Sequence, residues 1–196
     1  SKQLSPRGDG CLHVKARLAA NGLGTAFLLG SAQIANALHE VGLREEEIVS
    51  SALGIELDGR PDSEISAEIR SQQTSRISRL LHGLSAAEAD LRDLAEAQRS
   101  NEQHAFNALA CISRLDPRAQ RRLEEHIRSH GGGEAEPGRG TFVLQISIEQ
   151  VYGPFGALVL AARRLNEAFN LAGPTAKLQL ELLPEPSRAG SAEGDK

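Results

Sequence analysis

The sequence predicts an α+β protein: two βαβ units forming a small ferredoxin-like sheet, with a helical hairpin or three-helix segment inserted between them. Three observations predict it. Apolar residues alternate with polar ones in both terminal thirds, a helical apolar pattern follows the first strand of each third, and residues 62–130 favour helix almost throughout.

Residues 1–10 (SKQLSPRGDG) are polar and rich in turn formers, and are expected to form a flexible N-terminus. Leu12, Val14, Ala16 and Leu18 alternate with His13, Lys15 and Arg17, the period-2 pattern of a half-buried strand. A loop, Asn21-Gly22-Leu23-Gly24-Thr25, leads into a helix over Ala26–Val41. Phe27, Ile34, Leu38 and Val41 share one face of that helix, and Gly42 is placed to end it. Ile55 and Leu57 make a short strand that closes a first βαβ half at 11–59.

The second half, 141–183, repeats the plan. Phe142, Leu144, Ile146 and Ile148 alternate with Gln145, Ser147 and Glu149, and Leu178, Leu180 and Leu182 with Gln179 and Glu181. Between them a helix over Phe155–Leu171 stops at Gly173-Pro174. With Gly42 aligned to Gly173, Phe27 falls on Leu158, Ile34 on Leu165 and Leu38 on Phe169. Right-handed crossovers allow two such units to share a four-stranded sheet with both helices on one face.

Between the halves, helices are predicted at 63–82, 86–115 and 117–130. Asp62 after Pro61, the capping box Ser85-Ala86-Ala87-Glu88 and the Asp116-Pro117 pair supply their starts. A heptad crosses Gly83, with Ile77, Leu84, Leu91, Gln98, Ala105 and Ile112 at a and Leu80, Ala87, Leu94, Asn101, Ala108 and Leu115 at d. This seam wants a partner, either another helix of this chain or a second copy. A Gly-rich linker at 131–140 and a disordered tail at 184–196 complete the division.

The stretch Ile34–Gly59 (IANALHEVGLREEEIVSSALGIELDG) is similar to the helix–Gly–acidic–strand passage of SIMPL-type domains of bacterial envelopes, and residues 140–183 resemble the second βαβ of such a domain. The similarity covers under half the chain and brings no site residue with it.

Composition narrows function. With 40% apolar and 24% charged residues the chain is too apolar to be disordered, and no run of about 18 apolar residues offers a membrane span. A net charge of −4 gives no general affinity for nucleic acid. Two cysteines, Cys11 and Cys111, exclude a disulfide scaffold and an all-cysteine zinc site. Residues 1–10 lack the apolar core of a signal peptide; a cytoplasmic protein is expected, with earlier removal of a leader left open.

Four groups of residues bear on chemistry. Gly22, Gly24 and Thr25 precede a helix and are candidates for holding an anion, as is the matching Gly153–Gly156 loop; Phe27 stands where a dinucleotide fingerprint needs its third glycine. His126 and His130 lie four apart on one helix face and are a candidate metal pair, although no Glu-x-x-His accompanies them. His104 and Cys111, seven apart on the second predicted helix, stand about 10 Å apart by helical rise, too far for a dyad. Arg114, Arg118, Arg121, Arg122 and Arg128 are interleaved with acids and have no aromatic stacking partner, which reads as a solvated face. No catalytic constellation is complete and no cofactor is implied.

The function expected is a non-enzymatic interaction or assembly protein whose partner is a protein, a homo-oligomer joined through a sheet face or the heptad helix. On the sheet face, His13, Lys15, Arg17, Gln145 and Glu149 would point away from the helices. The alternative is an anionic-ligand binder or enzyme using the loops at 21–25 and 153–156.

Overall fold

The structure is a computed structural model that describes residues 2–7, 11–40, 43, 48, 53–70, 104–130, 133–136 and 140–185. It is α+β. The elements are β1 (Lys2–Arg7), β2 (Cys11–Ala19), α1 (Leu23–Glu40), β3 (Leu53–Asp58), β4 (Asp62–Arg70), β5 (His104–Ser113), α2 (Pro117–His130), β6 (Gly133–Glu136), β7 (Thr141–Val151), α3 (Pro154–Ala172) and β8 (Lys177–Pro184). Six longer strands, ordered β2-β4-β3-β8-β5-β7, form an antiparallel sheet that β1 and β6 extend at its two edges.

Every alternating run named above lies in a strand, and both terminal helices form. The connectivity differs from a four-stranded ferredoxin-like sheet. Each βαβ is split by a third strand: β4 enters between β2 and β3, and β5 between β8 and β7. The two halves meet at the antiparallel β3–β8 pair, where Ile55 faces Leu180. Strand order therefore reads alike from either edge, with α1 and α3 as counterparts.

β4 and β5 correct the helices expected across 63–82 and 86–115. In β4, Ser63, Ile65, Ala67 and Ile69 are buried in alternation with Asp62, Glu64, Ser66 and Glu68; in β5, Phe106, Ala108, Ala110 and Ile112 are buried. The heptad positions Ala105, Ala108 and Ile112 are thus strand residues and Leu115 lies between β5 and the helix that starts at Pro117, while the capping box at Ser85 and the seam positions from Ile77 to Asn101 lie outside the described residues. The helix at 117–130 forms as expected. β1 and β6 fall within the segments expected to be a flexible terminus and a linker; Gly42 and residues 186–196 lie outside the described residues.

One face of the sheet carries the core. Leu12, Ile69, Leu53, Leu182, Ala108 and Ile146 make one row across it; Val14, Ala67, Ile55, Leu180, Ala110 and Leu144 make the next. On this floor lie α1 and α3, whose Phe27, Ile34, Leu38, Leu158, Leu165 and Phe169 are all buried. Small residues let the layers close. A Cβ on Gly30 of α1 would overlap the Cδ1 of Ile65 below it, and one on Gly24 would stand 2.8 Å from Asn170 Oδ1 on α3. Near the end of β7 a bulge places Gln150 at φ 61 and returns Val151 to the buried face.

α2 begins as its sequence requires. Pro117 takes the first position, and the Asp116 carboxylate accepts from the N–H groups of Arg118 and Ala119, both at 2.9 Å. It buries only Ala119 and Leu123 and packs on α3. Among the described residues no helix is long and apolar enough to cross a membrane.

Candidate functional site

Among the described residues, the face of the sheet opposite the helices is polar and open. Strand alternation sends His13, Lys15 and Arg17 there from β2, Glu64, Ser66, Glu68 and Arg70 from β4, Glu56 from β3, Glu181 and Gln179 from β8, and Leu109 and Cys111 from β5. A single cross-strand row runs His13, Glu68, Gly54, Glu181, Leu109, Gln145. Gly54, in the middle of this row, contributes no side chain to it. A Cβ at Gly54 would meet nothing nearer than the Glu68 carbonyl at 4.0 Å. Over it lies a depression of ≈ 560 Å³ lined by His13, Glu56, Glu68, Cys111, Gln179 and Glu181 among others.

Charges around the depression pair across neighbouring positions. Glu56 pairs with Lys177, Glu68 with Arg70 at 3.1 Å, and Lys15 with Glu64 at 3.5 Å. These pairs are exposed or half-exposed, so they set the pattern of the surface more than its stability. Residues of both signs stand on one face.

His13 Nε2 lies 2.9 Å from Ser66 Oγ, while His13 Nδ1 is buried with no hydrogen-bond partner among the described residues. If Ser66 donated to Nε2, as nucleophile activation requires, Nδ1 would hold a buried N–H with no acceptor. The tautomer with Nε2–H donating to Ser66 leaves only an unused lone pair and is the cheaper state. Backbone N–H groups in this part of β4 face the β2 and β3 ladders and cannot form an oxyanion hole beside Ser66. The pair is not arranged for acyl transfer by Ser66.

Leu23 and Gly24 are buried at the start of α1, where Gly59 of the β3–β4 turn packs on the Leu23 backbone and Asn170 on Gly24. Thr25 is exposed, and Gly22 takes φ +148 with open space beside it. Gly153 accepts the first helical bond of α3 from Ala157 at 3.1 Å, with Pro154 next to it. Close packing therefore accounts for Gly24, with no ligand needed. His104 and Cys111 stand on a strand, not a helix, and seven residues of strand separate them by roughly 23 Å. Cys11 and Cys111 belong to β2 and β5, which β4, β3 and β8 keep apart. His126 and His130 do come together, with ring centroids 4.5 Å apart, and Glu167 of α3 joins them.

Glu68, Arg70, Glu56 and Glu181 were not singled out from sequence. Glu181 was legible as an outward residue of the Leu178–Leu182 alternation. The β4 pair became visible only once that segment proved to be a strand.

The described residues thus form an eight-stranded sheet with helices on one face and, among those residues, an uncovered, mixed-charge depression on the other. No family model, curated protein or solved structure matches the chain.

Proposed function

We propose that this chain is a non-enzymatic interaction protein that self-associates through the helix-free face of its sheet. The observation that carries this reading is the depression over Gly54, at the centre of a face holding both cationic Lys15 and Arg17 and anionic Glu56, Glu68 and Glu181. An isologous interface must complement itself, so one patch has to supply both signs. Leu109 and the 39%-exposed Leu183 on the same face add apolar area that association would remove from water. The Ser66–His13 geometry supports binding over catalysis, for the reasons of tautomer and committed backbone given above.

Sedimentation equilibrium on the full chain over a concentration series tests this. Self-association is expected, and Glu181→Lys is expected to weaken it at least tenfold without changing the circular dichroism spectrum. A monomer up to millimolar concentration, or an oligomer indifferent to Glu181→Lys and to Leu109→Lys, would overturn it.

A further inference from the structure

We infer that His126 and His130 of α2 and Glu167 of α3 form a three-ligand site for a divalent transition metal, one that joins the two helices near the surface. This site lies on the helical layer, remote from the open sheet face and independent of the association proposed for it.

One ligand atom from each of the three side chains lies within 4.8 Å of the other two. A tetrahedral ion with bonds of about 2.0–2.1 Å wants its ligand atoms roughly 3.3 Å apart. The gap is of the order of 1 Å, which exposed side chains close by small rotations. His126 Nδ1 already stands 3.9 Å from Glu167 Oε2, and Glu167 is 77% exposed and able to move. Helical spacing supplies the rest: i and i+4 place both imidazoles on one face, and α2 packs that face toward α3.

A second observation concerns the tautomer. Ser129 Oγ donates to the His126 carbonyl at 2.9 Å, so it accepts at 2.8 Å from His130 Nδ1, which also lies 3.1 Å from the same carbonyl. A carbonyl can only accept, hence the His130 proton sits on Nδ1 and the Nε2 lone pair is left for a metal. Metal-bound histidines are held in the same way, by a hydrogen bond from the ring nitrogen that does not ligate. Two imidazoles and one carboxylate select ions of the zinc, nickel and copper group over magnesium or calcium, which prefer all-oxygen sets. Three protein ligands leave at least one coordination position for water or another ligand.

The physical effect would be to fasten α2. This helix buries only Ala119 and Leu123, so a bond from each of its histidines to an ion shared with Glu167 adds a cross-link where apolar packing is thin.

Isothermal titration of the metal-free full chain with Zn²⁺, and separately with Ni²⁺, tests the site, with thermal unfolding in parallel. One equivalent is expected to bind and to raise Tm, and excess chelator to reverse the rise. His130→Ala and Glu167→Gln should each weaken that event at least tenfold while leaving the metal-free Tm within a few degrees, since both side chains are exposed. Absence of binding at millimolar metal, or binding unchanged in His130→Ala, would overturn the site. Binding lost in His130→Ala but untouched by Glu167→Gln would overturn the cross-link between helices.

Discussion

The ring of Phe27 meets that of Phe169 edge-on, with centroids 5.4 Å apart and planes at 61°. This contact joins the N-terminal turns of α1 to the C-terminal turns of α3, the same pair of helix ends where Gly24 packs on Asn170. Because α1 rests on β2, β3 and β4 and α3 on β7, β5 and β8, the two rings link the two halves above the β3–β8 seam. Both are essentially without solvent exposure, at 0% and 1%. Phe169→Ala should therefore cost about 3–5 kcal/mol. In a chain of this size that is a fall in Tm on the order of 10 °C. Thermal unfolding followed by circular dichroism reads it directly. A fall below about 3 °C would mean that the halves are held together elsewhere.

Gly30 offers a sharper test of how closely α1 sits on the sheet. Glycine in a helix interior costs about 1 kcal/mol relative to alanine, so Gly30→Ala on an open surface would stabilise. Here the added methyl overlaps Ile65 Cδ1 in a fully buried setting, and overpacking of this kind costs roughly 1–3 kcal/mol. The single substitution is expected to destabilise. Ile65→Val removes the opposing methyl and alone should cost about 0.5–1.5 kcal/mol. Combined, the two should be less destabilising than their sum by at least about 1 kcal/mol, measured by chemical denaturation of all four proteins. Strict additivity would mean that α1 shifts to absorb the methyl.

How far the fold was legible turns on the same residue. The terminal strands were readable because Leu12, Val14 and Ala16, or Leu178, Leu180 and Leu182, alternate with charged neighbours. β4 was not, because Ile65 and Ile69 are four apart, a spacing that satisfies both a helix face and a strand face. Only Ala67 between them could decide, and alanine is the best helix former. In β5, Leu109 and Cys111 make the outward positions apolar too, which erases the alternation among Phe106, Ala108, Ala110 and Ile112. Tertiary pairing overrode local propensity in both strands, and they are the two that split the βαβ units. The candidate face suffered in consequence, since Glu68 and Arg70 cannot be assigned to a surface before β4 is a strand. Glu167 was hidden for another reason: it meets His126 and His130 only through the packing of α3 on α2, which no local pattern announces.

Asp116 was legible, and its chemistry gives a pH-dependent prediction. The N–H of Ala119 hydrogen-bonded to its carboxylate lowers its pKa below the ordinary value of 3.8; the N–H of Arg118 and the charges of Arg122 and Arg118 act in the same direction, against a smaller rise from desolvation. A carboxyl that is more acidic folded than unfolded contributes stability that is complete above its unfolded pKa. That contribution is lost as pH falls through the folded value, where the proton bound by the unfolded chain is bound by the native one as well. The Tm difference between wild type and Asp116→Ala should therefore be constant above about pH 5 and shrink as pH is lowered toward 2. Asp116→Asn, which keeps an acceptor at the cap but has no charge to lose, should hold its neutral-pH Tm close to wild type. A gap between wild type and Asp116→Ala that widened in acid would contradict this account of the cap.

Gly54 separates folding from the association proposed for the open face. It is the second residue of β3, a strand paired on both sides by β4 and β8, where glycine weakens a strand and β-branched residues strengthen it by up to about 1 kcal/mol. A Cβ there enters ordinary open space, and Gly54 is not among the positive-φ glycines. Gly54→Val should thus leave Tm unchanged or raise it by a few degrees. The same side chain fills the floor of the depression between Glu68 and Glu181, so a partner that inserts there is excluded. A more stable monomer, with association weakened at least tenfold in sedimentation equilibrium, is the expected result. Steric filling and charge reversal act on the same cavity by different physics, so Gly54→Val and Glu181→Lys should fail to associate alike. If Gly54→Val associates as wild type does, the depression is a solvated hollow and the contact must lie on another part of the surface.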